Sequence, residues 1–79
     1  MNSRRKIVLI TGAESGIGKS ACKIFHNNGY KVIGTCLKKS NIISKKIEYH
    51  QIDITNNSDW KNLASIIKQK YKKIDVLVN

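Results

Sequence analysis

The chain has 79 residues, 41% hydrophobic and 25% charged, which suits one small globular domain and excludes wholesale disorder. Fifteen Lys and Arg against five Asp and Glu give a formal net charge of +10, a balance compatible with nucleic acid, an anionic membrane surface or an acidic protein partner. The basic residues lie scattered, with only the short clusters Arg4-Arg5-Lys6, Lys38-Lys39, Lys45-Lys46 and Lys72-Lys73, so a solvated basic surface is favoured over a polyanion site.

The longest of the early apolar runs, Ile7 to Ile10, has four residues. That is far below the roughly 18 of a membrane span and shorter than the ~7–15 of a signal-peptide core. The two cysteines, Cys22 and Cys36, have no CxxC spacing, which argues against a disulfide-stapled miniprotein or a zinc knuckle. A reducing cytoplasm is the expected setting.

Lys6 to Ile10 is β-branched and apolar and ends at Thr11-Gly12, the pattern of a buried strand. From Gly16 to about Asn28 the residues Ile17, Ala21, Ile24 and Phe25 recur at helical spacing, with Gly29 as the stop. Lys31 to Cys36 predicts a second strand and Ile47 to Ile52 a third, leaving Leu37 to Lys46 for a short crossover. Asn57, Ser58 and Asp59 offer caps for a second helix, and Trp60, Leu63, Ala64, Ile67 and Tyr71 form its apolar stripe. Ile74 to Val78 predicts a fourth strand.

Strands alternating with helices imply a parallel sheet covered on both faces. Right-handed crossovers give the strand order 3-2-1-4, the first half of a doubly wound nucleotide-binding fold. A fourth strand with no outer neighbour suits an unfinished sheet. Residues 1–79 are therefore expected to be a partial dinucleotide-binding domain, the amino-terminal part of something longer.

After the first strand comes Thr11-Gly12-Ala13-Glu14-Ser15-Gly16-Ile17-Gly18. Glycines between a buried strand and a helix let the chain turn tightly and let backbone amides approach a phosphate. Two chemistries compete for these residues. Ala13 to Ser20 reads A-x-x-x-x-G-K-S, close to the phosphate loop of ATPases and GTPases, but with Ala13 where that loop has glycine. An NTPase also needs an acid ending a strand to hold magnesium, for which Asp53 is the candidate. The other pattern, T-G-x-x-x-G-x-G, is a dinucleotide turn, which leaves Lys19 and Ser20 as ordinary exposed helix residues.

Thr11-Gly12-x-x-x-Gly16-Ile17-Gly18 resembles the cofactor motif of the short-chain dehydrogenase/reductase family. Ile52-Asp53-Ile54-Thr55 resembles the D-V/I-T segment after that family's third strand, and Asp75-Val76-Leu77-Val78-Asn79 the start of its D-x-L-V-N-N-A-G. The resemblance runs from Lys6 onward. Gly29 to Thr35 is further similar to the 3-oxoacyl-acyl carrier protein reductase branch.

The resemblance implies that Gly12 to Ile17 hold the adenosine end and pyrophosphate of a nicotinamide dinucleotide, with Thr11 and Gly18 completing the turn. It implies that Asp53 accepts from the adenine amine with the Ile54 backbone beside the ring, and that the Asn79 backbone lies near the ribose. NAD-specific relatives carry an acid at the end of the second strand, where this chain has Cys36, Leu37, Lys38 and Lys39. Two cations and no carboxylate favour NADP over NAD, with Glu14 as the opposing charge.

The family's Tyr and Lys four residues later do not occur here: Tyr30, Tyr49 and Tyr71 are followed at that spacing by Gly34, Asp53 and Asp75. No catalytic residue is named, and the 79 residues alone are expected to be inactive. Cys22 and Cys36 are expected to be small buried hydrophobes, and His26 and His50 surface or packing residues without metal-ligand spacing.

The leading expectation is the cofactor-binding portion of an NADP-dependent reductase acting on a carbonyl or alcohol, with 3-oxoacyl thioesters as one substrate class. The intact protein is expected to be a cytoplasmic homo-oligomer without nucleic-acid or membrane partners. The alternatives are a P-loop NTPase, a non-catalytic nucleotide-binding remnant and a basic nucleic-acid binder. The last has one Trp and one Phe for base stacking.

Overall fold

The computed structural model describes residues 5–38 and 46–79. In chain order the elements are β1 (Ile7–Ile10), α1 (Gly16–Asn27), β2 (Lys31–Cys36), β3 (Glu48–Gln51), α2 (Asn57–Lys70) and β4 (Val76–Val78). The strands form one parallel sheet in the order β3-β2-β1-β4, as the alternation of elements predicts. Most of the predicted crossover after Leu37, including Lys39 and Lys45, lies outside the described residues.

The central pair carries the core because both of its faces are covered. Along β1 the side chains alternate. Ile7 and Leu9 join Ile33, Ile52, Leu63 and Ile67 on the α2 side, with Trp60 and Tyr71 packed against them. Val8 and Ile10 join Ala13, Cys22 and Val32 on the α1 side, with Phe25 and Tyr30 beside them. A continuous apolar run is what a two-faced parallel strand requires, since alternation with polar residues would put them into one core or the other. Burying Leu63 or Ile67 of α2 contributes about 1.5–3 kcal/mol each.

Both helix starts are capped by side chains. Ser15 caps α1, its Oγ accepting from Gly18 N at 3.0 Å. Asn56 caps α2, with Oδ1 accepting from Asp59 N at 3.0 Å, one residue ahead of the three predicted caps. Asp59 is spent elsewhere, its Oδ2 accepting from Asp53 N at 2.9 Å. Helix α1 stops where predicted, with Gly29 in the left-handed region at φ 86°. Helix α2 ends without a glycine, and Lys72 takes that conformation at φ 70°.

Three further expectations are corrected. Ala64 is exposed rather than part of the buried stripe, because Leu63 and Ile67 fill the space over the sheet. Strand β3 covers Glu48–Gln51 rather than Ile47 to Ile52, since its register on β2 spans only Ile33↔Glu48 to Cys36↔Gln51. Strand β4 begins at Val76 because Asp75 bonds to the start of β1 through both backbone and side chain: its N donates to Ile7 O at 2.8 Å, and its Oδ2 accepts from Ile7 N at 2.7 Å.

Candidate functional site

Successive strands β1, β2 and β3 step in one direction across the sheet, and β4 returns to the other side of β1. The direction in which strands are added across the sheet therefore reverses between β1 and β4, and open parallel sheets bind ligands outside the carboxyl ends of strands at such a point. The glycine-rich turn leaves β1 there.

Gly12 takes φ 63°, a conformation that favours glycine. Its carbonyl accepts from Ser15 N at 3.0 Å and from Ser15 Oγ at 2.8 Å, closing the turn. Ala13 is fully buried, and its amide donates to Thr35 O at 2.8 Å, anchoring the turn to β2. On the other side Thr11 N donates to Val78 O at 2.9 Å, while Thr11 Oγ1 donates to Asn79 Oδ1 at 3.3 Å. The turn is thus tied to both neighbours of β1.

The three glycines have different duties. A Cβ on Gly18 would lie 2.1 Å from Gly12 O, so this glycine exists for the close approach of α1 to the turn. A Cβ on Gly12 or Gly16 would meet nothing within 4 Å. The space before the helix start is open. The amides of Gly16 and Ile17 head α1, where intrahelical acceptors do not exist and the helix dipole is positive. Ile17 itself is 87% exposed. An anion placed here would meet backbone donors at close range.

Beside the turn lies a cavity of about 320 Å³, bordered by Gly12, Glu14, Cys36, Leu37, Asp53 and Ile54. Glu14 reaches across to the end of β2, where its Oε2 accepts from Leu37 N at 2.8 Å. Asp53 Oδ1 accepts from Thr55 N at 2.9 Å and from Thr55 Oγ1 at 2.6 Å. Those two bonds from Thr55 hold the Asp53 carboxyl below its usual range, so it stays an ionised acceptor on an exposed loop. The Ile54 carbonyl is taken by Trp60 Nε1 at 2.6 Å, which pins the loop to α2.

The structure therefore gathers Gly12, Glu14, Cys36, Asp53 and Ile54 around one cavity, with Ala13 and Ser15 to Gly18 at the helix start and Thr11 with Asn79 behind the turn. Cys36 borders the cavity but is 2% exposed, and its Sγ is directed at the His50 carbonyl, 3.8 Å away on β3. Lys38 is exposed beyond the strand end, and Lys39 lies outside the described residues. Sequence reasoning gave no role to Thr55, although an Asp two residues before a Thr is a recurrent loop-closing pair and could have marked it. The Leu37 amide and Thr35 also escaped, because backbone donors and buried positions leave no signature in residue type.

Lys19 faces away from this cavity. With Lys23, His26 and Lys46 it borders a separate groove of about 270 Å³ between α1 and β3. A phosphate loop needs its lysine over the turn, so this placement favours the dinucleotide pattern. Among the described residues, no group of three or more His, Cys, Asp and Glu could hold a metal ion, and no helix is long and apolar enough to cross a membrane. Cys22 is buried in the α1 core, and burial pushes its thiol pKa up, against the lowering effect of a backbone hydrogen bond.

Parallel topology, a glycine turn at the switch point and an adjoining cavity define a nucleotide-binding Rossmann-type fold. The family described as short chain dehydrogenase matches residues 6–79. The short-chain dehydrogenase/reductase 1 of Saponaria officinalis is 35% identical, over 98% of this chain and 30% of its own length. The 3-oxoacyl-acyl-carrier-protein reductase of Thermotoga maritima is also 35% identical, over 100% of this chain and 36% of its own length. The solved structure of a Leptospira borgpetersenii short chain dehydrogenase with bound NAD+ superimposes with a TM-score of 0.84 at 28% identity, covering 95% of this chain and 30% of that one. The chain belongs to the short-chain dehydrogenase/reductase family of oxidoreductases. It spans about a third of the length of the relatives it matches.

Proposed function

We propose that these residues are the dinucleotide-binding portion of an oxidoreductase that moves hydride between a nicotinamide dinucleotide and a carbonyl or alcohol substrate. The observation that carries this reading is the open space before Gly12 and Gly16 at the head of α1, next to the Asp53–Ile54 cavity. Packing within the chain does not demand glycine there, as it does at Gly18, although the φ of 63° favours it at Gly12; the open space at both suits a ligand whose phosphates approach the backbone.

The residues present fit such a group. The amides of Gly16 and Ile17 would hold the pyrophosphate, and the cavity between Glu14 and Asp53 would hold the adenosine. When bound, the dinucleotide supplies the hydride. This chain's own residues bind and orient: Asp53, kept ionised by Thr55, accepts from the adenine amine, and Thr11 fixes Asn79 beside the turn. A 3-oxoacyl thioester is the substrate class supported by the Thermotoga relative's activity and by the likeness of Gly29 to Thr35. The whole protein would work in the cytoplasm as a homo-oligomer, on a small molecule and without nucleic acid.

Equilibrium titration of the full-length protein with ADP-ribose, NAD+ and NADP+ tests the reading. Saturable binding of ADP-ribose, unaffected by magnesium, is the expected result. Magnesium-dependent ATP binding abolished by Lys19→Ala, with no ADP-ribose binding, would replace it with the NTPase alternative.

A further inference from the structure

We infer that Glu14 selects the cofactor, supplying from the glycine-rich turn the carboxylate that is absent from the end of β2, so that the site takes NAD(H) in preference to NADP(H). The inference rests on the dinucleotide reading above. Dinucleotide folds that use NAD place an acid where it accepts from the ribose 2′-hydroxyl, and that acid repels a 2′-phosphate. Here the end of β2 reads Cys36-Leu37-Lys38-Lys39, with no acid. Cys36 cannot substitute, being buried with its Sγ directed at His50 O.

Glu14 reaches that place from the glycine-rich turn. Its Oε2 is held by Leu37 N at 2.8 Å, one residue past the end of β2, which brings a carboxylate to the strand terminus by a different route. One oxygen is thereby fixed, and a carboxylate has acceptor capacity for a second donor such as a ribose hydroxyl. Glu14 and Leu37 both border the cavity, together with Gly12 at the turn and Asp53 opposite. A 2′-phosphate at the end of β2 would meet the Glu14 carboxylate.

The cations argue the other way, and position decides between them. Lys38 is exposed, on a flexible stem in water, where attraction to a phosphate is screened. Glu14 is half-buried and fixed by a backbone donor. A charge fixed at the cavity wall is screened less than one on an exposed side chain.

The test compares Kd for NAD+ and NADP+ in the full-length protein, its Glu14→Gln variant and its Lys38→Ala variant. Glu14→Gln keeps an oxygen for the Leu37 amide and removes the charge. The unsubstituted protein is expected to prefer NAD+ by about tenfold or more, equivalent to ~1.4 kcal/mol. Glu14→Gln should weaken NAD+ and strengthen NADP+, reducing that ratio by about tenfold. A merely structural role for Glu14 would weaken both dinucleotides alike and leave the ratio unmoved, which would overturn the inference. So would a preference for NADP+ in the unsubstituted protein that Lys38→Ala abolishes. If ADP-ribose binds while the ratio stays at one, the inference fails and the dinucleotide reading stands. If none of the three nucleotides binds, both fall.

Discussion

The centre of the sheet and its outer strands are held by different forces. Strands β1 and β2 are apolar and buried almost throughout, and the helices press on both of their faces. Strand β3 is half-buried and polar, Glu48-Tyr49-His50-Gln51, and β4 is a three-residue strand with Leu77 56% exposed. What the outer strands lack in burial they partly recover through side-chain links. On β3, Glu48 accepts from Tyr71 Oη and from Lys70 Nζ at 3.1 Å, pairs with His50 Nε2 at 2.7 Å, and lies 3.6 Å from Lys31 Nζ. At the start of β4, Asp75 accepts from Ile7 N, which holds its carboxyl below the usual range. The ligand-facing turn belongs to the centre. Its geometry rests on packing and on backbone hydrogen bonds, whereas the margins lean on charged side chains.

That contrast predicts a hierarchy of effects. Ile33→Ala in β2 removes a fully buried side chain and should cost about 2–5 kcal/mol, while Gln51→Ala in β3 should change stability by less than about 0.5 kcal/mol. Urea denaturation of the two variants measures both, and similar costs would erase the distinction between centre and edge.

Next comes Gly18→Ala. Its Cβ would lie 2.1 Å from a backbone oxygen of the turn, which must shift, at a cost of about 1–3 kcal/mol. ADP-ribose affinity should fall by more than tenfold, about 1.4 kcal/mol or more, because the displaced turn misaims the Gly16 and Ile17 amides. Unchanged affinity in a folded variant would mean that the turn does not position the phosphates.

The last of the three effects belongs to the margin. Burial of Glu48 acts to raise its pKa, but hydrogen bonds from Tyr71, His50 and Lys70 outweigh it and bring the value from 4.5 to about 2. A carboxylate with a depressed folded pKa stabilises the fold above its unfolded value and loses that contribution as pH falls through the folded one. Stability should therefore decline between about pH 4.5 and about pH 2. Solvent screening at this partly open edge limits the Glu48 share to about 1 kcal/mol. Glu48→Gln should flatten that window in denaturation curves taken at several pH values. A slope identical to that of the unsubstituted protein would remove Glu48 from the account.

Much of this architecture was legible in residue order. The apolar run Ile7 to Ile10, the period of α1 and the stop at Gly29 are local patterns, and local patterns specify elements. The alternation of elements implied a parallel sheet, and the observed order 3-2-1-4 is one that right-handed crossovers allow. Margins were harder to place. Nothing in Asn56 to Asp59 says which of four polar residues caps α2, since each can do it. Asn56 takes the cap, and the Asp59 carboxylate is engaged by the Asp53 amide instead.

By itself, the sequence determined the order of elements, the buried central pair and the glycine turn, because burial pattern and backbone freedom are properties of residue type and spacing. Only the tertiary structure decided where Glu14 points and what Cys36 faces. It also decided that Lys19 lies over a different groove from Gly12. These outcomes depend on partners 14 to 27 residues away in the chain, brought within reach only when β2 and β3 line up beside β1. A charge counted in sequence has a sign. Its position, which sets what it attracts or repels, comes from the fold.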